Sequence, residues 1–218
     1  MWQEFFRAAL LIVASLFPII NPPAAGFLAL GMIPDADDAE RADLARAITI
    51  NSIALLMVSL LLGAYVLAFF GISQPALRVA GGLIVAMAGW RLLQAPDDKS
   101  QHRHAPHDLQ SLRLQAFYPL TLPLTVGSGA IAVAIALGTS SPKEGPLPAH
   151  VAGVAVGLLV LAISIYVCVR YAGRARRILG DVGTQVMMRL FAFIIFCIGI
   201  QMLWVGIEGM IRTLHLAP

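Results

Sequence analysis

Phe17-Pro18-Ile19-Ile20-Asn21-Pro22-Pro23-Ala24-Ala25-Gly26 interrupts an otherwise apolar run in a chain of 218 residues. Proline lacks a backbone donor and clashes with the carbonyl four residues back, so this stretch predicts a broken helix. In hydrocarbon the freed backbone groups need partners, and such a break survives only against protein or a wet cavity. The pattern returns 101 residues later as Tyr118-Pro119-Leu120-Thr121-Leu122-Pro123-Leu124-Thr125-Val126-Gly127. Phe17 aligns with Tyr118, Pro18 with Pro119, Pro22 with Pro123, Gly26 with Gly127 and Ala29 with Ala130. Corresponding interruptions in two halves of a chain point to a transporter's binding site. Proline kinks that merely relieve packing are the plainer alternative.

Composition supports a membrane protein. The chain is 59% hydrophobic and 12% charged, with a mean hydropathy of +0.82, whereas a soluble chain carries about 25% charged residues. Apolar runs of about 20 residues recur, each long enough for a bilayer core of about 30 Å. The net charge of +3 is small and lacks aromatic interleaving, so no nucleic-acid partner is expected. Cys168 and Cys197 lie inside apolar runs, with neither a metal-ligand spacing nor a disulfide framework, and read as packing residues. With only Arg7 as a basic flank, and with prolines in the apolar region, the first run reads as retained rather than as a cleaved signal peptide.

In order, the apolar runs cover about 5–32, 47–70, 77–93, 114–138, 149–169 and 190–211. Asp35 is a candidate cap in the acidic connector 34–43. The expected organisation is residues 1–93 as one three-helix repeat, 94–113 as a cytoplasmic linker and 114–218 as a second repeat. His102, His104 and His107 fall in that linker, where no fixed ligand geometry is expected. Three crossings per repeat force the halves to insert in opposite directions. The expected fold class is therefore all-α integral membrane, six transmembrane helices in two inverted-topology repeats, with the first and fourth helices broken. Arg7, Arg78, Lys143 and Arg212 lie on one side. Arg41, Arg46, Arg91, Lys99, Arg103, Arg113, Arg170, Arg174, Arg176, Arg177 and Arg189 lie on the other. The positive-inside rule makes the second side cytoplasmic and both termini external.

The breaks supply the candidate site. Pro22 makes the first break, and the amides that follow it, around Ala24, Ala25 and Gly26, and those following the second, at Val126, Gly127, Ser128 and Gly129, carry the positive end of a helix dipole and favour an anion. Freed carbonyls and the Asn21 side chain are candidates for an ammonium, so the pair suits a small zwitterion. Asn21 alternatively satisfies only the broken helix. Thr49, Asn51, Ser52 and Ser59 on the second run, Thr125 beside the second break and Gln201 in the last run are ligand or interhelical hydrogen-bond candidates. Glu208 is the one acidic residue within an apolar run, near its outer end, where snorkelling is the simpler reading. No intramembrane catalytic constellation and no cofactor motif is present, so neither an enzyme nor a cofactor is expected.

Asn21-Pro22, Phe70-Gly71-Ile72-Ser73 followed by Leu77-Arg78-Val79-Ala80-Gly81-Gly82, Pro119-Leu120-Thr121-Leu122-Pro123 with Gly127-Ser128-Gly129, and Arg189-Leu190 leading to Gly199-Ile200-Gln201 together resemble the MarC family, in order and over almost the whole chain. The resemblance implies a bacterial inner-membrane protein with six spans, akin to transporters of glycine, alanine and similar neutral amino acids, coupled to a proton or sodium ion. Two residue patterns depart from it: Gly127-Ser128-Gly129 stands where Gly-Pro-Gly is common, and Pro22-Pro23 stands where a single proline is commoner. The readings kept open beside amino acid transport are carriage of another small solute, a channel-like pore, and a membrane scaffold associating through Gly153-Val154-Ala155-Val156-Gly157. Self-association into a homo-oligomer is left open.

Overall fold

The computed structural model describes residues 2–32, 37–94, 116–139 and 147–215, and among these there are helices and no strand. Helix α1 (Trp2–Ile20) keeps Pro18 inside it and buries Ala8, Ile12, Leu16 and Ile20, a four-residue spacing that makes one narrow stripe. Only Asn21 separates it from α2 (Pro22–Met32).

Helix α3 (Asp38–Phe70) begins on a capping box in which Asp37 and Glu40 satisfy each other's backbone amides, at 2.7 and 2.9 Å. The cap is therefore Asp37; the expected Asp35 lies outside the described residues. Gly71, at φ 65°, ends α3 in the left-handed conformation that glycine adopts without steric cost. Its amide bonds the Ala68 carbonyl and the Ile72 amide bonds Leu67. Ser73 then caps α4 (Gln74–Gln94) by accepting from the Ala76 amide at 3.3 Å.

The segment Ala116–Thr125 is wound in wide turns and interrupted at Tyr118 and Leu122, both extended. Each precedes a proline, whose ring disfavours the helical conformation there. Helix α5 (Ser128–Thr139) follows, and α6 runs from Leu147 to His215 with a bend at Gly180, φ 69° and ψ 176°. The bend divides α6 into two apolar arms, Pro148–Gly180 and Val182–Arg212. Residues 170–177, expected as a basic connector, are helical and extend the first arm. Arginine has good helix propensity, and the turn falls instead at the glycine.

Five helical stretches among the described residues are long and apolar enough to cross a membrane: Trp2–Leu30, Asp38–Phe70, Gln74–Gln94 and the two arms of α6. The expected fourth span differs. With 12 residues, α5 is about 18 Å long, short of the roughly 30 Å a bilayer core requires.

Close approaches define the packing. Gly153 and Gly157 of the first arm meet Phe5, Ala8 and Ile12, and Gly26 meets Cys168, so α1 and α2 run parallel along this arm. The Gly153–Gly157 face is thus used inside the molecule, which removes it as a surface for a partner. Gly82, Gly89 and Gly199 bring α4 and the second arm together antiparallel; a Cβ on Gly82 would sit 2.6 Å from the Leu203 nitrogen. Helix α5 passes from α4 to α3, with Gly129 against Val85, Gly81 against Ala132, Gly63 against Ile135, and Gly138 against Leu60.

One cluster of buried residues joins Leu16 and Ile20 of α1, Ile48 and Leu56 of α3, Leu120 and Val126, Ala130 of α5, and Leu161 and Ile165 of α6. Both interruptions lie in this cluster. The exterior is as apolar as the core, exposing Leu10, Leu61, Phe69, Ile163, Phe193 and Trp204 among others. A water-facing monomer rarely shows so continuous an apolar surface; lipid explains it.

Candidate functional site

At the first break Asn21 takes φ 46°, the only non-glycine among the described residues with positive φ. The following proline disfavours right-handed helix, and asparagine is one of the few side chains that tolerates the left-handed alternative. Its own amide donates to the Phe17 carbonyl at 2.9 Å, and its carbonyl accepts from the Ala25 amide at 3.1 Å. Its side-chain Oδ1 accepts from the Ala24 amide at 3.4 Å, a long N-cap bond.

A helix start leaves four amides without internal partners. Here two do not exist, because Pro22 and Pro23 have none, and the amides of Asn21 and Ala24 are bonded. Asn21, Pro22, Ala24, Ala25 and Gly26 are all buried, yet the first break presents no spare donor to an anion. What was expected of the Ala24 and Ala25 amides is corrected by this geometry: the asparagine that opens the helix also closes its donors.

The second break is built differently. Leu122 occupies the register of Asn21 and solves the same proline constraint by extending. The chain then re-forms in wide turns: the Val126 amide reaches the Thr121 carbonyl at 2.8 Å. Thr121 Oγ1 donates to the Ala116 carbonyl at 2.6 Å, and Thr125 Oγ1 to the Leu120 carbonyl at 2.7 Å. These buried hydroxyls give the Ala116 and Leu120 carbonyls a side-chain donor inside the break, where water is absent. Thr125 is thereby engaged locally.

The donor side stays open. No proline stands among Gly127, Ser128, Gly129 and Ala130, so all four first-turn amides exist. The Gly127 carbonyl accepts from Ile131 at 3.1 Å, while the Gly127 and Ala130 amides meet no acceptor among the described residues. Gly129 packs against Val85 of α4 and Ile19 of α1, which brings this helix start beside the first break.

Helix α3 adds hydroxyls. Ser52 is fully buried, flanked at four-residue spacing by Ile48 and Leu56 of the shared core. Its Oγ and the buried Oγ1 of Thr49 have no hydrogen-bond partner among the described residues. A buried polar atom left unmade costs about 1–3 kcal/mol, so such atoms call for a reason. Ser59, by contrast, donates to the Leu55 carbonyl at 2.7 Å.

Of the remaining expected residues, Asn51 is half-buried on the flank of the α3 stripe, and Gln201 is exposed on the second arm of α6. The structure therefore does not gather Gln201 with the buried set. Glu208 accepts from Arg212 at 2.6 Å at the surface. Cys168 is half-buried and Cys197 exposed, both as free thiols. The three linker histidines lie outside the described residues. Among the described residues the buried polar side chains are all uncharged: Asn21, Ser52, Ser59, Thr121 and Thr125.

Comparison with known proteins follows the same residues. The profile described as "MarC family integral membrane protein" matches residues 3–211. "UPF0056 inner membrane protein MarC" from Salmonella typhimurium (strain LT2) is 33% identical over 222 residues, covering 98% of this chain and all of that one. The protein of that name from Citrobacter koseri is 34% identical with the same coverage. The one from Escherichia coli (strain SMS-3-5) is 33% identical over 97% of this chain and 99% of its own. No solved structure matches.

Proposed function

Given that the chain belongs to the MarC family of integral membrane proteins, we propose that it is a secondary transporter of small neutral amino acids of the glycine and alanine class. The observation that carries this reading is the open start of α5 at the second break; α3, whose Ser52 and Thr49 hydroxyls have no partner among the described residues, packs against the same helix. The positive end of the α5 dipole suits a carboxylate. The hydroxyl oxygens suit an ammonium.

Charge narrows the substrate class. A zwitterion has no net charge, and the buried polar set has none to offer; a net-charged solute would need a counter-charge in the membrane. Size narrows it further. Val85 and Ile19 close over Gly129 so tightly that even an added Cβ would collide with Val85, and a substrate with a small side chain demands the least opening. The interior is closed in this conformation, so loading requires α5 and its neighbours to separate on one side at a time.

Six crossings in inverted halves remain part of this proposal, with residues 116–139 as a discontinuous crossing between a cytoplasmic linker, 94–113, and an external hairpin. Parallel packing of α1 on the first arm of α6, and antiparallel packing of α4 on the second, support opposite insertion of the halves. The asymmetric arginine distribution supports external termini. Coupling to a proton or sodium ion and the role of Asn51 belong to the same proposal. No catalytic step is assigned to any residue.

Radiolabelled glycine and alanine flux into proteoliposomes tests it. Saturable uptake in the wild-type protein, weakened by Ser52→Ala, is expected; uptake of neither amino acid overturns the reading. Saturable flux of an unrelated small solute would instead favour the second reading, carriage of another substrate through the same break.

A further inference from the structure

At the arginine-rich end of the molecule, the first arm of α6 and the start of α3 enclose a cavity of about 720 Å³. Arg41, Arg170, Arg174, Arg176 and Arg177 line it, together with Tyr171. Four of them, Arg170, Arg174, Arg176 and Arg177, lie on the helix that continues past Val169, which gathers them within two turns instead of scattering them along a loop. Among the described residues two carboxylates, Asp37 and Asp38, share the lining, and both have duties. Asp37 caps α3, and Asp38 pairs with Arg170 at 3.4 Å. Among the described lining residues five guanidinium groups stand beside two carboxylates, a cationic lining.

The arginines are also held. The Arg174 guanidinium lies 5.0 Å from the centre of the Tyr171 ring and that of Arg170 lies 5.9 Å from it. Arg41 reaches across from α3 to Gly173, where an added Cβ would be 3.7 Å from its Nη1. Guanidinium presents donors in a planar fork that matches phosphate oxygens two at a time.

The source of the phosphate follows from what leads to the cavity. Val160, Ile163, Val167 and Tyr171 are all exposed, at the three- and four-residue spacing of a single helix face. The stripe ends at Tyr171, in the cavity lining, with Arg174 one turn further. An acyl chain can lie along that stripe while its headgroup enters the cavity. Basic pockets between helices on the cytoplasmic side are where anionic headgroups bind. We propose that this cavity binds the phosphate headgroup of an anionic phospholipid, whose chains run along the exposed face of α6.

The test is thermal stability of the purified full-length protein in neutral detergent, titrated with phosphatidylglycerol, phosphatidylcholine or inorganic phosphate. A ligand selective for the folded state raises the midpoint with concentration. Phosphatidylglycerol is expected to raise it and phosphatidylcholine to leave it unchanged. Arg174→Gln with Arg177→Gln should shift the phosphatidylglycerol titration to concentrations about thirtyfold higher. Arg91→Gln, which removes a charge outside the cavity, should leave the titration in place. Equal shifts from both lipids, or equal weakening by Arg91→Gln, overturn the site. An equal shift from inorganic phosphate overturns the lipid assignment. Native mass spectrometry of the wild type from an equimolar lipid mixture needs no variant. Preferential retention of phosphatidylglycerol is expected, and equal retention overturns the proposal.

Discussion

The two proline breaks share a register, yet they solve the same problem with opposite chemistry. At the first, one asparagine absorbs the whole break: it takes a left-handed conformation, caps the next helix, and leaves α1 and α2 running along one arm of α6. At the second, a leucine in that register extends, and the chain needs ten residues of wide turns and two threonine hydroxyls to recover. The first break closes every donor it creates. The second repairs its carbonyls and leaves amides open. Sequence symmetry between halves therefore does not make two equivalent elements; it makes one break with its amides closed and one with amides open.

The largest effect expected from this difference is steric. An alanine at Gly26 would collide with the Cys168 backbone carbonyl, and one at Gly129 with the Val85 side chain. Either overpacking should destabilise by about 1–3 kcal/mol. Only the second has a relief: Val85→Ala should recover most of the loss in Gly129→Ala, whereas no neighbouring side-chain truncation should rescue Gly26→Ala. Thermal midpoints in detergent measure both, and failure of the Val85→Ala rescue would break the distinction.

Asn21 comes next. Asn21→Ala loses the cap and forces a Cβ residue without side-chain compensation into φ 46°, together costing about 2–3 kcal/mol. Asn21→Gly keeps the conformation and should cost only a few tenths of a kcal/mol. If Asn21 is a hinge rather than a ligand, Asn21→Gly transports normally. A stable Asn21→Gly protein without flux would return the asparagine to the binding site.

Thr121→Val and Thr125→Val each remove a buried hydroxyl bond, to the Ala116 and Leu120 carbonyls, lowering stability by about 1 kcal/mol as read by the thermal midpoint. The matching positions of the first break, Ile20 and Ala24, carry no hydroxyl, which is why that break needed the asparagine.

Much of this was legible from residues. The breaks, their register, the apolar runs and the basic side follow from proline chemistry, run length and arginine placement. The broken fourth run followed from its prolines, but the form of the break did not, because pre-proline residues can go left-handed or extended, and only packing chooses the direction in which α5 leaves. The reach of α6 to Gly180 was hidden because a run of arginines reads as a connector, although its helix propensity is good. At the site, Gly127 and Gly129 were visible as glycines after a break, and Ser52 as one of several polar residues on its run. That Ser52 is the buried one without a partner, while Gln201 is exposed, depends on the rotation of two helices about their axes. No single-sequence pattern fixes that where all faces are apolar.

Ser52→Ala gives the smallest stability effect and the sharpest test. Removing a hydroxyl that has no partner should leave the thermal midpoint unchanged or raise it slightly, since alanine also favours the helix. A purely structural serine would behave the same way and leave flux intact. A hydroxyl kept open for a ligand predicts a split: stability held or improved, with half-saturation for glycine raised about tenfold for the loss of one hydrogen bond to a charged group. The same substitution at Ser59, whose hydroxyl is bonded to its own helix, should leave transport unaltered. If both alanines reduce flux equally, the hydroxyls matter only as packing, and the open amides of α5 must hold the substrate without them.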